Sequence, residues 1–186
     1  MGRRICFFGS YKPLESEVLD VEQIGYKLAK EGYEIISGGF GGTMEQISKG
    51  AKEAGGKTIG ITCYIFPGKE NGKANKFIDT EFVTEDIFSR IKMMIEMANA
   101  FIILPGGTGT LLEFSAVVEH INKGLLDFKP VIFVGDHWKK LLPILESITI
   151  TNKKLKADFK IKRCNELVKF VNSKEDLIES LNDIFS

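Results

Sequence analysis

Short unbroken apolar runs alternate along the chain with longer segments whose apolar residues recur every three or four positions. The runs RRICFFG (3–9), YEIIS (33–37), KTIGIT (57–62), FIIL (101–104) and KPVIFVG (129–135) predict strands buried on both faces. FIDTEFV (77–83) and LVKFV (167–171) predict two shorter strands. Helical spacing runs through 15–32, where Val18, Val21, Ile24, Leu28 and Ala29 share a face and Gly32 is the stop. It returns over 43–56, 85–100, 109–122 and 137–148, with Pro143 bending the last of these. A final helix covers 173–185, with Ser173 as its N-cap. Residues 63–76 read as a loop.

Strand and helix alternate from end to end. The pattern predicts one domain over 1–186, an α/β Rossmann-like three-layer fold with a doubly wound, mainly parallel sheet and helices on both faces. Ligands of such sheets sit at the carboxyl ends of the strands, where the topology switches. GSYKP, SGGFGG and PGGTGT each follow a predicted strand at that edge.

A glycine turn between a strand and a helix start presents unpaired N–H groups, and the helix dipole favours an anion there. In PGGTGT, Gly106, Gly107 and Gly109 let backbone approach a phosphate, and Thr108 and Thr110 add hydroxyls. SGGFGGTM repeats the transition with Gly38, Gly39, Gly42 and Thr43. Neither loop is a Walker A or Gly-x-Gly-x-x-Gly motif. A tight turn explains either loop alone. Two at one sheet edge, with an acid, Glu113, expected in the first turn of the following helix, favour a nucleotide site. Dipole stabilisation of about 0.3–1 kcal/mol is the plainer reason for such an acid. Ser10 either donates to the phosphate or ends its strand.

Charge and composition narrow the classes. Lys plus Arg and Asp plus Glu are 25 each, so no net basic field recruits nucleic acid or an anionic membrane. No apolar run reaches the roughly 20 residues of a membrane span, and the N-terminus lacks the apolar stretch and cleavage site of a signal peptide. Three scattered cysteines suggest reduced thiols in a cytoplasm. Two histidines and no Cys-x-x-Cys argue against a metal site.

PGGTGTLLE, with ICFFGS, SGGFGGTM and KPVIFV around it, resembles the Lonely Guy (LOG) family, long labelled lysine decarboxylases. The nonamer matches that family's Pro-Gly-Gly-x-Gly-Thr-x-x-Glu motif, and the likeness covers most of the chain. The resemblance implies a catalytic pair at Arg90 and Glu113. It implies hydrolysis of the N-glycosidic bond of a nucleoside 5′-monophosphate, such as AMP or a cytokinin ribotide, without metal or organic cofactor. It also implies a homodimer. The chain departs from the family at Ser37, Glu45, Ile91 and Leu112, which leaves the loop chemistry intact. Molybdenum-cofactor carriers share the fold, so a non-catalytic nucleotide or nucleotide-cofactor binder is the alternative. A nucleic-acid module akin to DNA-processing Rossmann proteins is disfavoured by the neutral charge. Retention of both Arg90 and Glu113 favours the enzyme. Pyridoxal chemistry needs a Schiff-base lysine, and nothing singles one out.

By pattern alone Arg90 reads as a solvated helix arginine. It lies beside Met93 and Met97, a stripe expected to face a second subunit. His120 reads as a surface or packed histidine, and Trp138 as packing. The loop 63–76 either closes over the base or is plain surface.

Overall fold

In a computed structural model, residues 2–12, 20–64 and 73–186 are described. The chain runs β1 (Arg4–Phe8), α1 (Val21–Lys30), β2 (Glu34–Ser37), α2 (Thr43–Glu53), β3 (Thr58–Cys63) and β4 (Thr80–Thr84). It continues with α3 (Ile87–Met97), β5 (Ala100–Ile103), α4 (Thr108–Lys123), β6 (Val131–Val134), α5 (Leu142–Ser147), α6 (Lys153–Asp158), β7 (Val168–Val171) and α7 (Lys174–Phe185). The strands form one sheet in the order β4-β3-β2-β1-β5-β6-β7, and every pairing is parallel. The α/β three-layer fold expected from the alternation is the one found.

The continuous apolar runs have a direct cause. Successive strand residues point to opposite faces, and both faces are covered. From β1, Cys6 and Phe8 enter a core closed by α3 and α4, through Met94, Ile95, Phe114 and Val117. Ile5 and Phe7 enter the opposite core, closed by α1, α2 and α7 through Ile24, Leu28, Ile47 and Leu177. Phe7 and Phe8 are among the largest fully buried side chains. Truncating either to alanine costs about 3–5 kcal/mol. β4 is different. It is an edge strand, mostly exposed, with Phe82 and Val83 turned partly to solvent.

Two expectations about elements need revision, and one stretch without any expectation gains structure. Of the predicted helix over 15–32, residues 15–19 lie outside the described residues. The described helix starts at Val21, where Asp20 accepts a hydrogen bond from Gln23 N at 3.0 Å. The segment 137–148 is not one bent helix. A 3₁₀ turn over His137–Leu141 hands over to α5, and Pro143 lies in the first turn of α5, where its missing N–H leaves no gap. The stretch 149–166, which carried no prediction, holds α6 and a 3₁₀ turn at Cys164–Leu167. Asn152 caps α6 by accepting from Lys154 N and Leu155 N. Ser173 caps α7 as expected, accepting from Asp176 N at 3.1 Å.

The order places β1 between β2 and β5. The chain winds outward from β1 to β4, then crosses back to continue on the other side. The carboxyl ends of β1 and β5 therefore flank the switch point, where open α/β sheets bind ligands.

Candidate functional site

Two threonines lace this seam together. Thr110 Oγ1 donates to Gly9 O at 2.8 Å, joining α4 to the end of β1. Thr43 N donates to Ser10 O, and Ser10 N donates to Thr43 Oγ1, both at 2.9 Å, joining α2 to the same place. The side chains of Thr43 and Thr110 are thus engaged in holding the crevice. Ser10 Oγ turns back to donate to Lys12 O at 2.6 Å, which shapes the turn after the strand.

The loop 105–107 ends at α4, whose N-cap is Gly107. No side chain caps it, and the first helical bond runs from Leu111 N to Gly107 O at 3.1 Å. The N–H groups of Thr108, Gly109 and Thr110 precede that bond, so the helix gives them no acceptor. Gly107, Thr108 and Gly109 are exposed. A Cβ at Gly107 or Gly109 would meet no heavy atom within 4 Å. The second loop is tighter. Gly42 has φ +67°, and a Cβ there would overlap Ser10 O and Tyr11 O. Asn75 Nδ2 donates to Gly39 O (3.1 Å) and Phe40 O (2.8 Å), fastening this loop from the side.

Arg90 and Glu113 meet beneath these loops. Arg90 Nη1 lies 3.2 Å from Glu113 Oε1, and Arg90 Nε donates to Ile61 O at 2.7 Å. The Phe40 ring centroid is 5.6 Å from Arg90 Cζ, within cation–π range. Gly38 is required here for space, since a Cβ would overlap the Arg90 guanidinium. α3 presents Arg90 because Asp86 starts the helix by accepting from Phe88 N and Ser89 N. Arg90 is 5% exposed, so the solvated arginine read from helical pattern is corrected. Its aliphatic stem is the part the apolar stripe sees, while the head reaches across to β3 and α4.

Glu113 also departs from expectation. α4 starts at Thr108, which puts Glu113 in the second turn and not in the first. The helix dipole acts chiefly within the first turn, so dipole stabilisation does not account for this acid. Glu113 is 7% exposed. Burial pushes its carboxyl up to about 7, with Arg90 pulling the other way. A buried ion pair is a poor source of stability. A carboxyl shifted towards neutrality beside a glycine loop makes this place the candidate functional site.

The remaining candidates scatter. His120 is half-buried, with Nδ1 2.7 Å from Ala116 O of its own helix. It borders a groove with Phe88, Lys92 and Leu112. Trp138 packs in the core, as read, and its Nε1 also donates to Leu104 O at 2.9 Å. Met93 and Met97 are half-buried against the core, and Phe88 (70% exposed) and Leu112 are exposed apolar groups of the separate groove that His120 borders. Residues 65–72 of the expected specificity loop lie outside the described residues. Cys6, Cys63 and Cys164 are free and buried. Among the described residues, no cluster of three His, Cys, Asp or Glu could hold a metal, and no helix is long and apolar enough to cross a membrane. Asn75 and His137 gave no signal in the sequence, because their contacts are to backbone carbonyls of distant loops.

Comparison with known proteins gives the chain's family and fold. A cytokinin riboside 5′-monophosphate phosphoribohydrolase of Mycobacterium marinum is 33% identical over 136 residues, 72% of this chain and 71% of the relative. The Arabidopsis thaliana enzyme of the same name, LOG3, is 27% identical over 97% of this chain and 82% of its own. A molybdenum cofactor binding protein from Rippkaea orientalis superposes with a TM-score of 0.72 at 26% identity, covering 100% of this chain and 99% of that one. The family model described as "Possible lysine decarboxylase" matches residues 44–181, which span α2, the Arg90–Glu113 pair and the glycine loop, and the chain belongs to that family, the LOG family.

Proposed function

We propose that the chain hydrolyses the N-glycosidic bond of a nucleoside 5′-monophosphate of the AMP or cytokinin-ribotide type. The observation that carries this reading is the buried Arg90–Glu113 pair set behind an uncapped, glycine-fronted helix start. Six residues separate Gly107 from Glu113, about 9 Å along a helix. That spacing suits a ligand whose phosphate sits on the N–H groups of 107–110 and whose sugar lies over the carboxylate.

Water oxygen attacks C1′ of the ribose, and the C1′–N bond breaks with its electron pair passing to the base. The base takes up a proton, and ribose 5-phosphate leaves with the new hydroxyl. The transition state is oxocarbenium-like, as in glycoside hydrolysis. The Glu113 carboxylate stabilises that charge or orients the water. Arg90, tied to Ile61 O and Glu113, holds the carboxylate in place. Phosphate binding remote from the bond orients the sugar. The residues present supply this chemistry with no metal or organic cofactor.

A second reading is a non-catalytic nucleotide-cofactor carrier. The whole-chain similarity to a molybdenum cofactor binding protein supports it. The intact Arg90–Glu113 pair favours the enzyme. Incubation with AMP and with N6-isopentenyl-AMP, followed by chromatography for free base, separates the two. Release of base supports hydrolysis, and binding of AMP without release from either nucleotide supports the carrier. We also propose a homodimer in a cytoplasmic setting, joined through the stripe of Met93 and Met97. Burial of about 1,000 Å² or more would be expected. Light scattering that shows only monomer at micromolar concentration overturns it.

A further inference from the structure

The Gly106–Gly107 peptide joins two residues without side chains, so no Cβ resists its rotation. Yet its orientation decides whether the Gly107 N–H points at a ligand. In a trans peptide the C=O and the following N–H point in opposite directions, and the described chain has no cis bond. Whatever holds Gly106 O therefore aims Gly107 N–H.

His137 holds it. Its Nε2 lies 3.1 Å from Gly106 O. A carbonyl only accepts, so Nε2 is the protonated nitrogen. The next residue, Trp138, donates to Leu104 O at 2.9 Å, and the two rings meet edge-on with centroids 4.5 Å apart. Consecutive residues of the turn after β6 thus grip the segment after β5 at Leu104 and at Gly106. On the other side Gly106 is pressed against Thr110, whose hydroxyl is fixed on Gly9 O. With Gly106 O turned to His137, the Gly107 N–H faces away from it, and Gly107 itself is exposed.

We propose that His137 is a positioning residue for the phosphate loop, setting the direction of the Gly107 N–H through its hydrogen bond to Gly106 O. It touches neither base nor ribose in this scheme, so its effect is confined to the 5′-phosphate. This rests on the nucleotide reading above.

The readout is the ratio of affinities for AMP and adenosine, measured by calorimetry. A loss of folded protein changes the active fraction and cancels in that ratio. His137→Leu should lower it at least about fivefold, the scale of one hydrogen bond. His137→Gln keeps an N–H donor and should restore it to within about twofold of the wild type. A ratio in His137→Leu equal to the wild type's overturns the proposal. So does a glutamine variant as impaired as leucine, since the donor would then not matter. Nitrogen-15 NMR of the wild type gives a test without substitution: neutral His137 should carry its proton on Nε2, and a proton on Nδ1 overturns the proposal. If the wild type binds AMP no better than adenosine, the phosphate reading itself falls. Wild-type discrimination with an unaffected leucine variant removes only the role of His137.

Discussion

The two glycine loops look alike as text and differ in what their glycines do. In SGGFGG the fold itself demands them. Gly42 sits at positive φ against the backbone of Ser10 and Tyr11, and Gly38 makes room for the Arg90 head. In PGGTGT, Gly107 and Gly109 face open space, and Gly107 has φ −101°, which any residue adopts. Among the described residues nothing requires glycine at those two positions. A glycine that its own fold does not need points to something that approaches from outside. One loop is therefore architecture that seats the buried Arg90, and the other is the proposed contact surface for phosphate.

The largest effect is expected where the second loop's helix delivers its acid. Glu113→Gln should lower turnover about 100-fold or more while AMP binding changes little, because the phosphate contacts remain. Steady-state kinetics beside calorimetry checks this, and unchanged turnover would reduce Glu113 to a packing residue. Next comes the loop itself. Gly107→Val should weaken AMP binding by roughly 50-fold through blocked backbone approach, with the melting temperature within a few degrees of the wild type. Equal AMP affinity in that variant would break the contrast between the loops. The mirror experiment is Gly42→Ala. It should cost about 2 kcal/mol of stability through strain and backbone overlap, read as a lower denaturation midpoint. A fully stable variant would show that SGGFGG is not architectural.

The smallest effect is in pH. Glu113 is held up to about 7 by burial. If it works as a carboxylate, turnover should fall about tenfold per unit as pH drops below about 7. The sign for stability is opposite. A carboxyl raised by folding favours the folded state below its unfolded value, and that contribution is lost as pH rises through about 7. A rate profile flat from pH 5.5 to 8 would contradict the assignment.

Much of this was legible beforehand, for physical reasons. Strands buried on both faces must be apolar throughout, so β1, β2, β3, β5 and β6 stood out, as did the glycine loops, while the edge strands β4 and β7 read only as shorter runs. Arg90 did not read as buried, because helical spacing records which face of α3 packs and not where a long polar head ends. The placement of Glu113 in the second turn depended on where α4 starts, and a loop of small residues leaves that boundary open. α6 escaped because it is short and mostly polar, with Leu155 its buried residue. Asn75 and His137 escaped because a bond to a distant backbone carbonyl leaves no trace in residue periodicity.

The position of β1 has a consequence for how the protein comes into being. Ile5 pairs with Ile35 on one side and with Ala100 on the other. The first partner is thirty residues away and the second ninety-five, so the two pairings close chain loops of very different length and entropy. Strands β1 to β4 can meet while the rest of the chain is still being made, since domains are synthesised at about 5–20 residues per second. The crevice cannot exist until β5 and the start of α4 have arrived. If the crevice holds the proposed nucleotide, a nascent chain is blind to it until past its midpoint. After that, any nucleotide bound at the seam favours only the completed sheet, and so acts as a late check on assembly.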